Sequence, residues 1–559
     1  MLRVRWLGRV PYREAHVLQR ALFERAGADY LLMMEHPHVF TLGARGDDAH
    51  VLVDPVEVGA DLVRVDRGGD VTYHGPGQLV AYPILSVAMG PGAVPAYVHG
   101  IEQVVIDALG DLGLEGAGRL DGYPGVWVDP GGPAPRKICA IGVRVSKGRS
   151  MHGLALNVDP DLSWFERIVP CGITDKAVTS LAREGLPASM GQVVEAVVAR
   201  AARRWAGGEV DRQEVVSGAG AVASQRPTTL ERGIARLKDA GVEVSAAVPL
   251  ARRKPPWMRV EAHMGHDFLD LRRTMRSLGL VTVCEEAGCP NIFECWDAGT
   301  ATFMINGERC TRSCGFCLVD TRRPLPLDPG EPDRVAEAVE RMRLRHAVVT
   351  TVARDDLPDG GAAAFAATVA AIRRRSPATT VEILISDLKG DASALGVVFA
   401  SRPDVLNHNV ETVARLQRAV RPQAGYARSL AVLAAAKDQG LVTKSGLMVG
   451  LGEERQEVLS ALEDMRSVGV DIVTIGQYLR PSESHLPVAR WWPPDELAGL
   501  GEAAMAMGFS HVESSPLSRS SYHAGEAVTA VGRQAAHPSG DTAGQAAASQ
   551  AKVAVRLRA

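Results

Sequence analysis

The cysteines constrain this chain more than any other feature. Six of its eight cysteines lie within 34 residues. They form two triplets, Cys284, Cys289 and Cys295 with the spacing C-x4-C-x5-C, and Cys310, Cys314 and Cys317 with the spacing C-x3-C-x2-C. Three thiolates on one loop can hold three irons of a [4Fe–4S] cluster and leave the fourth iron open to another ligand. The pattern therefore predicts iron–sulfur chemistry at an open iron.

Zinc and disulfide bonds are the alternatives for these cysteines. A structural zinc site usually takes four protein ligands, often as paired C-x2-4-C units, and neither triplet has that form. The N-terminal sequence MLRVRWLGRVPYREAH lacks the apolar segment of a secretory signal. We therefore expect the cytoplasm, a reducing compartment in which disulfides are disfavoured.

The sequence around each triplet resembles a known family. The stretch CTRSCGFCLV resembles the signature of the radical S-adenosylmethionine (SAM) superfamily. That resemblance implies that SAM binds the open iron and is cleaved to a 5′-deoxyadenosyl radical. The stretch VCEEAGCPNIFECW resembles the auxiliary-cluster motif of lipoyl synthases, and RSSYHA at 519–524 resembles the element whose serine completes that cluster. The resemblance implies two [4Fe–4S] clusters and places the fourth auxiliary ligand at Ser521.

Residues from about 260 to 523 resemble lipoyl synthases throughout, and Arg252–Arg259 resembles their N-terminal segment. Apolar segments alternate with helical ones, which indicates a βα repeat. The resemblance implies a partial (β/α)6 barrel with the cluster loop after its first strand and with SAM-binding loops at 351–361 and 445–453. Predicted strands are His346–Val352, Thr380–Ser386, Val405–Asn409, Lys444–Val449 and Ile472–Gln477, with helices at Pro332–Met342 and Arg455–Val468.

Residues 1–206 have the pattern of a mixed α/β domain. We predict buried strands within Tyr30–Phe40 and at Leu79–Leu85, and an amphipathic helix at Gly191–Trp205. Between them lies the stretch RGGDVTYHGPGQ, which begins at Arg67. Its four glycines permit a close approach of the backbone to a ligand, with a tight hairpin as the alternative.

The motifs of this first half occur in the order typical of lipoyl(octanoyl) transferases. They are Gly125-Val126-Trp127, KICAIGVRV from Lys137, HGLALNV from His152 and PCGI around Cys171. The resemblance implies a biotin/lipoate ligase-like fold, an acyl thioester on Cys171, and Lys137 as the group that lowers the pKa of that thiol. It also implies an acyl pocket formed by Arg67, Gly68, Gly69, Asp70, Val71, Thr72, Tyr73, His74, Ala140, Ile141, Gly142, Gly153, Leu154 and Ala155.

Composition and length set the domain organisation. We predict an α/β chain with two catalytic domains, at 1–206 and 251–523, a linker at 207–250 that includes SGAGAVAS, and a disordered tail at 524–559. A flexible linker predicts halves that fold separately. The net charge of −3 gives no general case for nucleic acid, and no apolar run reaches the 18 residues of a membrane span.

Together these resemblances imply a fusion of two consecutive enzymes of lipoate assembly. The first half transfers octanoyl from its acyl carrier protein to a lysine of a lipoyl domain of 2-oxoacid dehydrogenases or of the glycine cleavage H protein. The second inserts sulfur at carbons 6 and 8, with electrons from a ferredoxin- or flavodoxin-type donor. One alternative is a lipoate ligase fused to a different radical SAM sulfur-inserting enzyme. Another, from a different class, is a non-catalytic cluster carrier joined to an acyl-binding module.

Overall fold

The computed structural model describes residues 1–170, 176–216, 228–259, 266–282, 289, 291–297 and 300–528. Cys171 and Cys284 lie outside these residues. In the part of the chain that is described, no helix combines the length and the apolar character that a membrane span requires.

The N-terminal half is built on a nine-stranded mixed sheet, as the α/β prediction requires. The strand order is β12-β1-β2-β6-β10-β9-β8-β7, with β11 beside β9. The strands are β1 (Leu2–Arg9), β2 (Asp29–Glu35), β6 (Gln78–Ile84), β7 (Ala117–Leu120), β8 (Tyr123–Val128), β9 (Arg136–Ser146), β10 (Arg149–Asn157), β11 (Ala177–Val178) and β12 (Val210–Glu214). A second sheet has the order β4-β3-β5, from β3 (Val39–Leu42), β4 (Asp61–Arg64) and β5 (Val71–His74).

Three helices cover the large sheet: α1 (Tyr12–Arg25), α2 (Ala93–Asp111) and α3 (Met190–Ala206). Helix α3 confirms the helix predicted from its apolar face, because Val194, Val197 and Ala201 are all buried. Its N-terminus is a capping box formed by Ser189 and Gln192. The predicted strand region 30–40 forms two strands in different sheets, and Pro37 lies in the break between them.

The C-terminal half is a single sheet whose strands follow chain order from β13 to β20. All neighbours from β14 to β20 are parallel, and the short β13 pairs antiparallel with β14. The strands are β13 (Val281–Thr282), β14 (Thr300–Ile305), β15 (His346–Thr351), β16 (Thr380–Leu384), β17 (Val405–Asn407), β18 (Thr443–Val449), β19 (Ile472–Gln477) and β20 (His511–Ser515). The βα prediction is confirmed, with one parallel strand more than six.

The helices of this half alternate with the strands. They are α4 (Thr229–Asp239), α5 (His266–Ser277), α6 (Ile292–Asp297), α7 (Glu331–Arg341), α8 (Ala362–Arg375), α9 (Ala392–Ala400), α10 (Gln417–Val420), α11 (Tyr426–Asp438), α12 (Arg455–Ser467) and α13 (Pro494–Ala506). Helix α7 illustrates the pattern, because its apolar side chains Val335 and Val339 are fully buried while its first turn carries acidic residues that favour the helix N-terminus.

The predicted linker at 207–250 is largely structured. Strand β12 pairs in parallel with β1, so residues 210–214 complete the N-terminal sheet. Helix α4 begins at a capping box formed by Thr228 and Glu231, and its Leu237 is buried in the core of the C-terminal half. Only residues 217–227 of this stretch lie outside the described residues. The linker prediction is therefore wrong for strand β12, whereas helix α4 matches the short helix that the sequence predicts at 230–240.

The two halves share one hydrophobic core, which contradicts the expectation of separately folding domains. Leu18 and Leu22 of α1 lie in the same buried cluster as Tyr426 and Leu430 of α11. The prediction of a disordered tail at 524–559 is wrong for residues 524–528, and residues 529–559 lie outside the described residues. Residues 524–528 are helical. Ala527 packs against Val405 and Ile472, the first residues of β17 and β19, and its side chain is therefore almost fully buried.

Candidate active sites

The glycine-rich loop and two adjacent strands enclose a cavity in the N-terminal half. Its walls come from the loop before β5, from the middle of β9 and from the middle of β10, with side chains of α1 and β6. The lining residues are Arg67, Gly68, Gly69, Asp70, Thr72, His74, Ala140, Ile141, Gly142, Gly153, Leu154 and Ala155, together with Tyr12, Tyr82 and His152. The structure thus brings most of the predicted acyl-pocket residues together around one space.

Two of the predicted pocket residues do not line this cavity. Val71 and Tyr73 are fully buried in a separate cluster with Trp164 and Phe165. They belong to β5, where successive side chains point to opposite faces. Thr72 and His74 therefore face the cavity, and the prediction for Val71 and Tyr73 is wrong.

Small residues keep the cavity walls close together. A Cβ atom added at Gly142 would lie 3.0 Å from the carbonyl oxygen of Gly68 and 3.1 Å from Cδ of Arg67. Arg67 is held across the cavity because its Nη2 donates to the carbonyl oxygen of Thr41 at 2.7 Å and to its hydroxyl at 2.9 Å. The cavity is half-open to solvent, and its volume is about 50 Å³, about the space of one or two water molecules. An eight-carbon chain therefore requires the cavity to widen.

His74 is a neutral side chain within the cavity wall. Its Nδ1 donates a hydrogen bond to Oε1 of Gln78 at 2.8 Å, and its ring stacks on Tyr12 with centroids 5.8 Å apart. Burial, followed by the nearby His36, holds the pKa of His74 well below its ordinary value. Because Nδ1 carries the proton of the neutral ring, Nε2 is left as an acceptor.

His16, Asp66 and His152 lie together at the edge of the cavity. Nε2 of His152 donates to Oδ1 of Asp66 at 2.9 Å, and burial lowers the pKa of His16 to about 4. One ligand atom of each residue lies within 4.8 Å of the others, a set that could hold a divalent cation. Asp66, however, is half-exposed and already pairs with Arg144. Asp66 therefore has a partner on each side, and its contact with His152 fixes a ring whose residue has a φ of 59° and directly precedes Gly153 of the pocket.

Lys137 is buried on β9, next to the pocket strand residues. Its side chain is about 8% exposed, and Nζ lies 4.8 Å from the ring centroid of Trp127. Strand β11 pairs Val178 with Lys137, and the amide of Thr179 donates to the carbonyl of Lys137 at 2.9 Å. The chain just after the segment that contains Cys171 therefore runs beside Lys137.

The chain before that segment is also fixed. The amide of Val169 donates to the carbonyl of His50 at 2.8 Å, and Ile168 pairs with Val51. Cys171 itself lies outside the described residues. Cys139 is not an alternative nucleophile, because burial raises the pKa of its thiol to about 12 and its side chain is fully enclosed.

In the C-terminal half the second cysteine triplet follows β14, at the carboxyl end of the parallel sheet. Sγ of Cys310 accepts hydrogen bonds from the amides of Arg312 at 3.4 Å and Ala353 at 3.3 Å. Burial, with the charges of the neighbouring thiols, raises the pKa of Cys314 to about 12 and that of Cys317 to about 11. Three thiols that lie within each other's electrostatic reach on one loop fit three irons of a cubane cluster.

The loop that carries this triplet is anchored from several sides. The amide of Gly315 donates to the carbonyl of Val420 at 2.9 Å, and Nε2 of His485 donates to the carbonyl of Cys317 at 2.9 Å. Arg312, between Cys310 and Cys314 in sequence, makes a two-pronged ion pair with Asp355 at 2.7 and 2.9 Å. Asp355 belongs to the predicted SAM-binding stretch 351–361, so the cysteine loop and that stretch are joined directly.

The described part of the first triplet packs against the predicted serine element. Nδ2 of Asn291 donates to the carbonyl of Leu517 at 2.6 Å, and the hydroxyl of Tyr522 donates to Glu294 at 3.1 Å. Burial lowers the pKa of Arg519, and the nearby Cys289 opposes that shift. The structure thus brings Ser521 and the segment of Cys289 and Cys295 together from about 230 residues apart, whereas Cys284 lies outside the described residues.

Comparison with known proteins gives the family. The model of the lipoyl protein ligase A/B catalytic domain matches residues 11–202, that of the N-terminal domain of lipoyl synthase matches 239–289, and that of the radical SAM superfamily matches 304–465. A lipoyl synthase of Rubrobacter xylanophilus is 58% identical over 275 residues, which cover 49% of this chain and 86% of that protein. The chain belongs to the lipoyl synthase family. The lipoyl synthase of Mycobacterium tuberculosis strain H37Ra is 55% identical over 284 residues, covering 51% of this chain and 91% of that protein.

The lipoyl synthase half is therefore joined to a ligase/transferase-type catalytic domain, and the chain is a bifunctional enzyme of lipoate biosynthesis. Solved structures similar to this chain include a putative lipoate protein ligase of Thermoplasma acidophilum, 19% identical, with 43% of this chain and 95% of that chain covered and a TM-score of 0.32. Streptococcus suis SuiB bound to S-adenosylmethionine is 10% identical, with 38% and 50% covered and a TM-score of 0.31.

The lipoyl synthase half contains buried polar residues that the sequence analysis missed. Glu411 is partly buried near Cys314, its backbone φ is 70°, and Nδ2 of Asn409 donates to its carboxylate at 3.1 Å. Burial raises the pKa of Glu411, and Arg421 opposes that shift. The signal was present as the run NHNVE, which begins at Asn407, the last residue of the buried strand β17. Polar residues at the carboxyl ends of barrel strands are typical of active sites.

Proposed function

We propose that the N-terminal half is an octanoyltransferase that forms an acyl thioester on Cys171, and that the lipoyl synthase half then inserts sulfur at carbons 6 and 8 of the transferred chain. The observation that supports the first step is Lys137. It is buried beside the pocket strand, and the chain on both sides of Cys171 is tied to the same region by β11 and by the contact of Val169 with His50.

The chemistry of the transfer follows from a thiol beside an ammonium group. A free thiol near pKa 8.5 is mostly protonated at neutral pH, and a neighbouring positive charge favours the thiolate. The Cys171 thiolate attacks the thioester carbonyl of octanoyl-acyl carrier protein, and the carrier leaves as its thiol. The amine of an acceptor lysine then attacks the new thioester and releases Cys171. Each step exchanges one acyl bond for another, so no ATP is consumed.

The residues that line the cavity support the proposal of an acyl substrate with an uncharged chain. Its floor is formed by Ala140, Ile141 and Leu154, while the neutral His74 and the hydrogen-bonded Arg67 lie towards the loop. Arg67 lies beside Gly142 and is held by the carbonyl and hydroxyl of Thr41, so a rotation that widens the cavity would have to break these two hydrogen bonds.

For the lipoyl synthase half, we propose two [4Fe–4S] clusters. Cys310, Cys314 and Cys317 hold one, and Cys284, Cys289, Cys295 and Ser521 hold the other. When bound, the clusters supply the electron that cleaves SAM and the sulfide that enters the product. The chain itself contributes the anchored cysteine loop, the partly buried Glu411 after β17, and the buried Arg421, whose Nη1 donates to the carbonyl of Asn409 after the same strand.

Ser521 is proposed as the fourth auxiliary ligand because its segment is fixed against the first triplet. Glu294, next to Cys295, pairs with both Tyr522 and His523, and Asn409 donates to the hydroxyl of Ser520 at 2.7 Å. A serine oxygen is a weaker ligand for iron than a thiolate, and its release would allow the cluster to give up sulfide.

A lipoate ligase activity of the N-terminal half is the competing proposal, because the matching family model includes both ligases and transferases. The two differ in co-substrate. A ligase activates a free acid with ATP, whereas a transferase uses an acyl thioester and needs none. Octanoyl-acyl carrier protein without ATP, compared with octanoate plus ATP, separates them. Labelling only in the second mixture would exclude the transferase.

The complete proposal is tested by mass spectrometry of an apo lipoyl domain. The protein is reconstituted with iron and sulfide and incubated anaerobically with octanoyl-acyl carrier protein, SAM and a reductant. We expect first an octanoylated and then a lipoylated domain, with SAM consumed and 5′-deoxyadenosine formed. A domain that remains octanoylated while SAM is cleaved would contradict sulfur insertion.

We further propose cytoplasmic partners for the two halves. These are octanoyl-acyl carrier protein, the lipoyl domains of 2-oxoacid dehydrogenases and the glycine cleavage H protein, and a ferredoxin- or flavodoxin-type electron donor. The charge balance of the chain supports proteins rather than nucleic acid as partners.

A further inference from the structure

A continuous series of ion pairs crosses the boundary between the two halves. It consists of Glu14 on α1, Arg428 on α11, Asp387 after β16, Arg312 in the cysteine loop, and Asp355. We call these five residues the Glu14–Asp355 network. One end lies in the transferase half and the other in the predicted SAM-binding stretch.

All but one of the ion pairs in the network are short, and the carboxylate at its centre, Asp387, is buried. Arg428 Nε lies 2.6 Å from Glu14, and Arg428 Nη1 lies 3.6 Å from Asp387. Arg312 Nη2 lies 2.6 Å from Asp387, whose side chain is fully enclosed. Because this one buried carboxylate is shared between two arginines, a movement of Arg428 changes the field and the space available to Arg312.

The segment after Asp387 is strained and touches both ends of the network. Leu388, Lys389 and Gly390 have φ values of 44°, 55° and 74° in succession. Nζ of Lys389 donates to the carbonyl of Asp355 at 2.6 Å, and a Cβ added at Gly390 would lie 2.7 Å from Oε1 of Glu14. Residues with positive φ values are strained unless they are glycine, and neighbouring contacts must hold them in that conformation. Glu14 is one of the residues that contact this segment.

The network passes through the cysteine loop at Arg312. Arg312 lies between Cys310 and Cys314, and its amide donates to Sγ of Cys310 at 3.4 Å. The amide of Asp355 donates to the hydroxyl of Thr311 at 3.0 Å, so the same loop is held twice. A displacement of the Arg312 guanidinium is therefore transmitted to the loop that faces SAM.

We propose that Glu14, supplied by the transferase half, is a positioning residue for the radical SAM cysteine loop and acts on it through Arg428, Asp387 and Arg312. The inference rests on the radical SAM activity proposed for the lipoyl synthase half and adds a contribution to it from the other domain. Without the Glu14 carboxylate, Arg428 is free to move towards Asp387 and to compete there with Arg312.

The test compares Glu14→Gln with Glu24→Gln in the reconstituted full-length protein. Both changes remove one negative charge from α1, but Glu24 is about half exposed and pairs only weakly, with Arg20 at 3.7 Å. We expect Glu14→Gln to raise the KM for SAM about fivefold, the lower end of typical coupling between sites, with kcat changed less than twofold. The electron paramagnetic resonance spectrum of the reduced cluster with SAM should also change. Glu24→Gln should alter neither.

Two further measurements distinguish positioning from general damage. Glu14→Asp keeps the charge, so it should restore most of the SAM affinity, and octanoyl transfer should remain within twofold of the wild-type rate. A Glu14→Gln protein that unfolds at lower temperature but keeps the wild-type KM and spectrum would overturn the inference, as would equal behaviour of Glu14→Gln and Glu24→Gln. Absence of SAM cleavage by the wild-type protein would instead contradict the proposed function.

Discussion

Arg5 and Asp464, which are 459 residues apart in the chain, form an ion pair of 2.7 Å in which both side chains are at most 3% exposed. Arg5 also pairs with Asp211 at 2.7 Å, and Tyr426 donates to Asp464 at 3.0 Å. This buried cluster joins the first strand of the N-terminal half to α12 of the lipoyl synthase half. An interface of this kind resembles a domain core rather than a contact between tethered modules.

We predict that Arg5→Met strongly destabilises the whole protein. The change leaves Asp464 and Asp211 buried without their main cation, and breaking a buried pair in this way typically costs about 3–5 kcal/mol. Urea unfolding, followed both by octanoyl transfer and by SAM cleavage, should show both activities lost at a lower urea concentration.

The control for this change is Arg9→Met on the same strand. Arg9 is 55% exposed and its carboxylate partner Glu35 is 3.9 Å away, so its loss should shift the midpoint little. If Arg5→Met lowers the midpoint of one activity and leaves the other unchanged, the halves unfold independently and the shared core is not cooperative.

A break in the chain within 217–227 should leave the two halves bound to each other. The apolar cluster of α1 and α11 and the Arg5 cluster do not depend on that segment. Size-exclusion chromatography of the cleaved protein should give a single peak that contains both fragments and retains both activities. Separate elution of the fragments at micromolar concentration would show that covalent tethering, and not the interface, holds them together.

The sequence predicted those elements whose signal is local. Ile472–Gln477 is a strand with the predicted bounds because an apolar β-branched run is recognisable without its partners. Strand β12 was missed because its sequence, VDRQE, is polar, and its pairing with β1 joins residues more than 200 positions apart. Arg5 gave no signal for the same reason: its buried partners are distant in sequence.

The functional site, like the fold, was predicted where its signal is local in the sequence. The ordered motifs of the pocket and of the cysteine loop are contiguous in the chain, so their residue types carry the information. The roles of Arg312 and Glu411 depend on partners brought by other strands, and the burial of Val71 and Tyr73 away from the cavity depends on which face of β5 packs against Trp164 and Phe165. Neither is readable from a single stretch.

We predict that Cys171→Ser abolishes octanoyl transfer but leaves SAM cleavage intact on a preoctanoylated domain.

Lys137→Met should slow octanoyl transfer by roughly tenfold or more and raise the pH at which the Cys171 thiol reacts, because the positive charge that favours the thiolate is lost. Thiol alkylation rates measured against pH report that shift. Lys147→Met, on the exposed turn after β9, is the matched control and should leave both unchanged. An unaltered reactivity profile for Lys137→Met would remove Lys137 from this role.

Gly142→Ala should reduce octanoyl transfer through the pocket and not through the fold. The added methyl group would meet Cδ of Arg67 at 3.1 Å and the carbonyl of Gly68 at 3.0 Å, so it opposes the widening that an acyl chain requires. We expect a several-fold rise in the KM for octanoyl carrier protein and a smaller rise for a butanoyl carrier. Gly131→Ala, which would meet no atom within 4 Å, should not change either value. Equal losses with both chain lengths would mean that Gly142 does not limit the acyl pocket.

The two cysteine triplets should separate the two chemical roles of the lipoyl synthase half. The reconstituted wild type should hold about eight irons, and each triple alanine variant about four, one [4Fe–4S] cluster. Replacement of Cys310, Cys314 and Cys317 should abolish 5′-deoxyadenosine formation, whereas replacement of Cys284, Cys289 and Cys295 should spare it and block sulfur insertion. Lipoyl product from the second variant would exclude the auxiliary cluster as the sulfur donor.

Ser521→Ala should behave as a milder form of the second triple variant. The three thiolates can still hold the auxiliary cluster without the serine oxygen, so 5′-deoxyadenosine formation should persist while lipoyl product falls severalfold and auxiliary iron is lost more readily to a chelator. Ser520→Ala is the matched control, since its hydroxyl accepts a hydrogen bond from Asn409 at 2.7 Å and has no proposed contact with iron. If the two variants lose iron and product equally, the effect comes from packing of the 519–524 segment, and Ser521 is not a ligand.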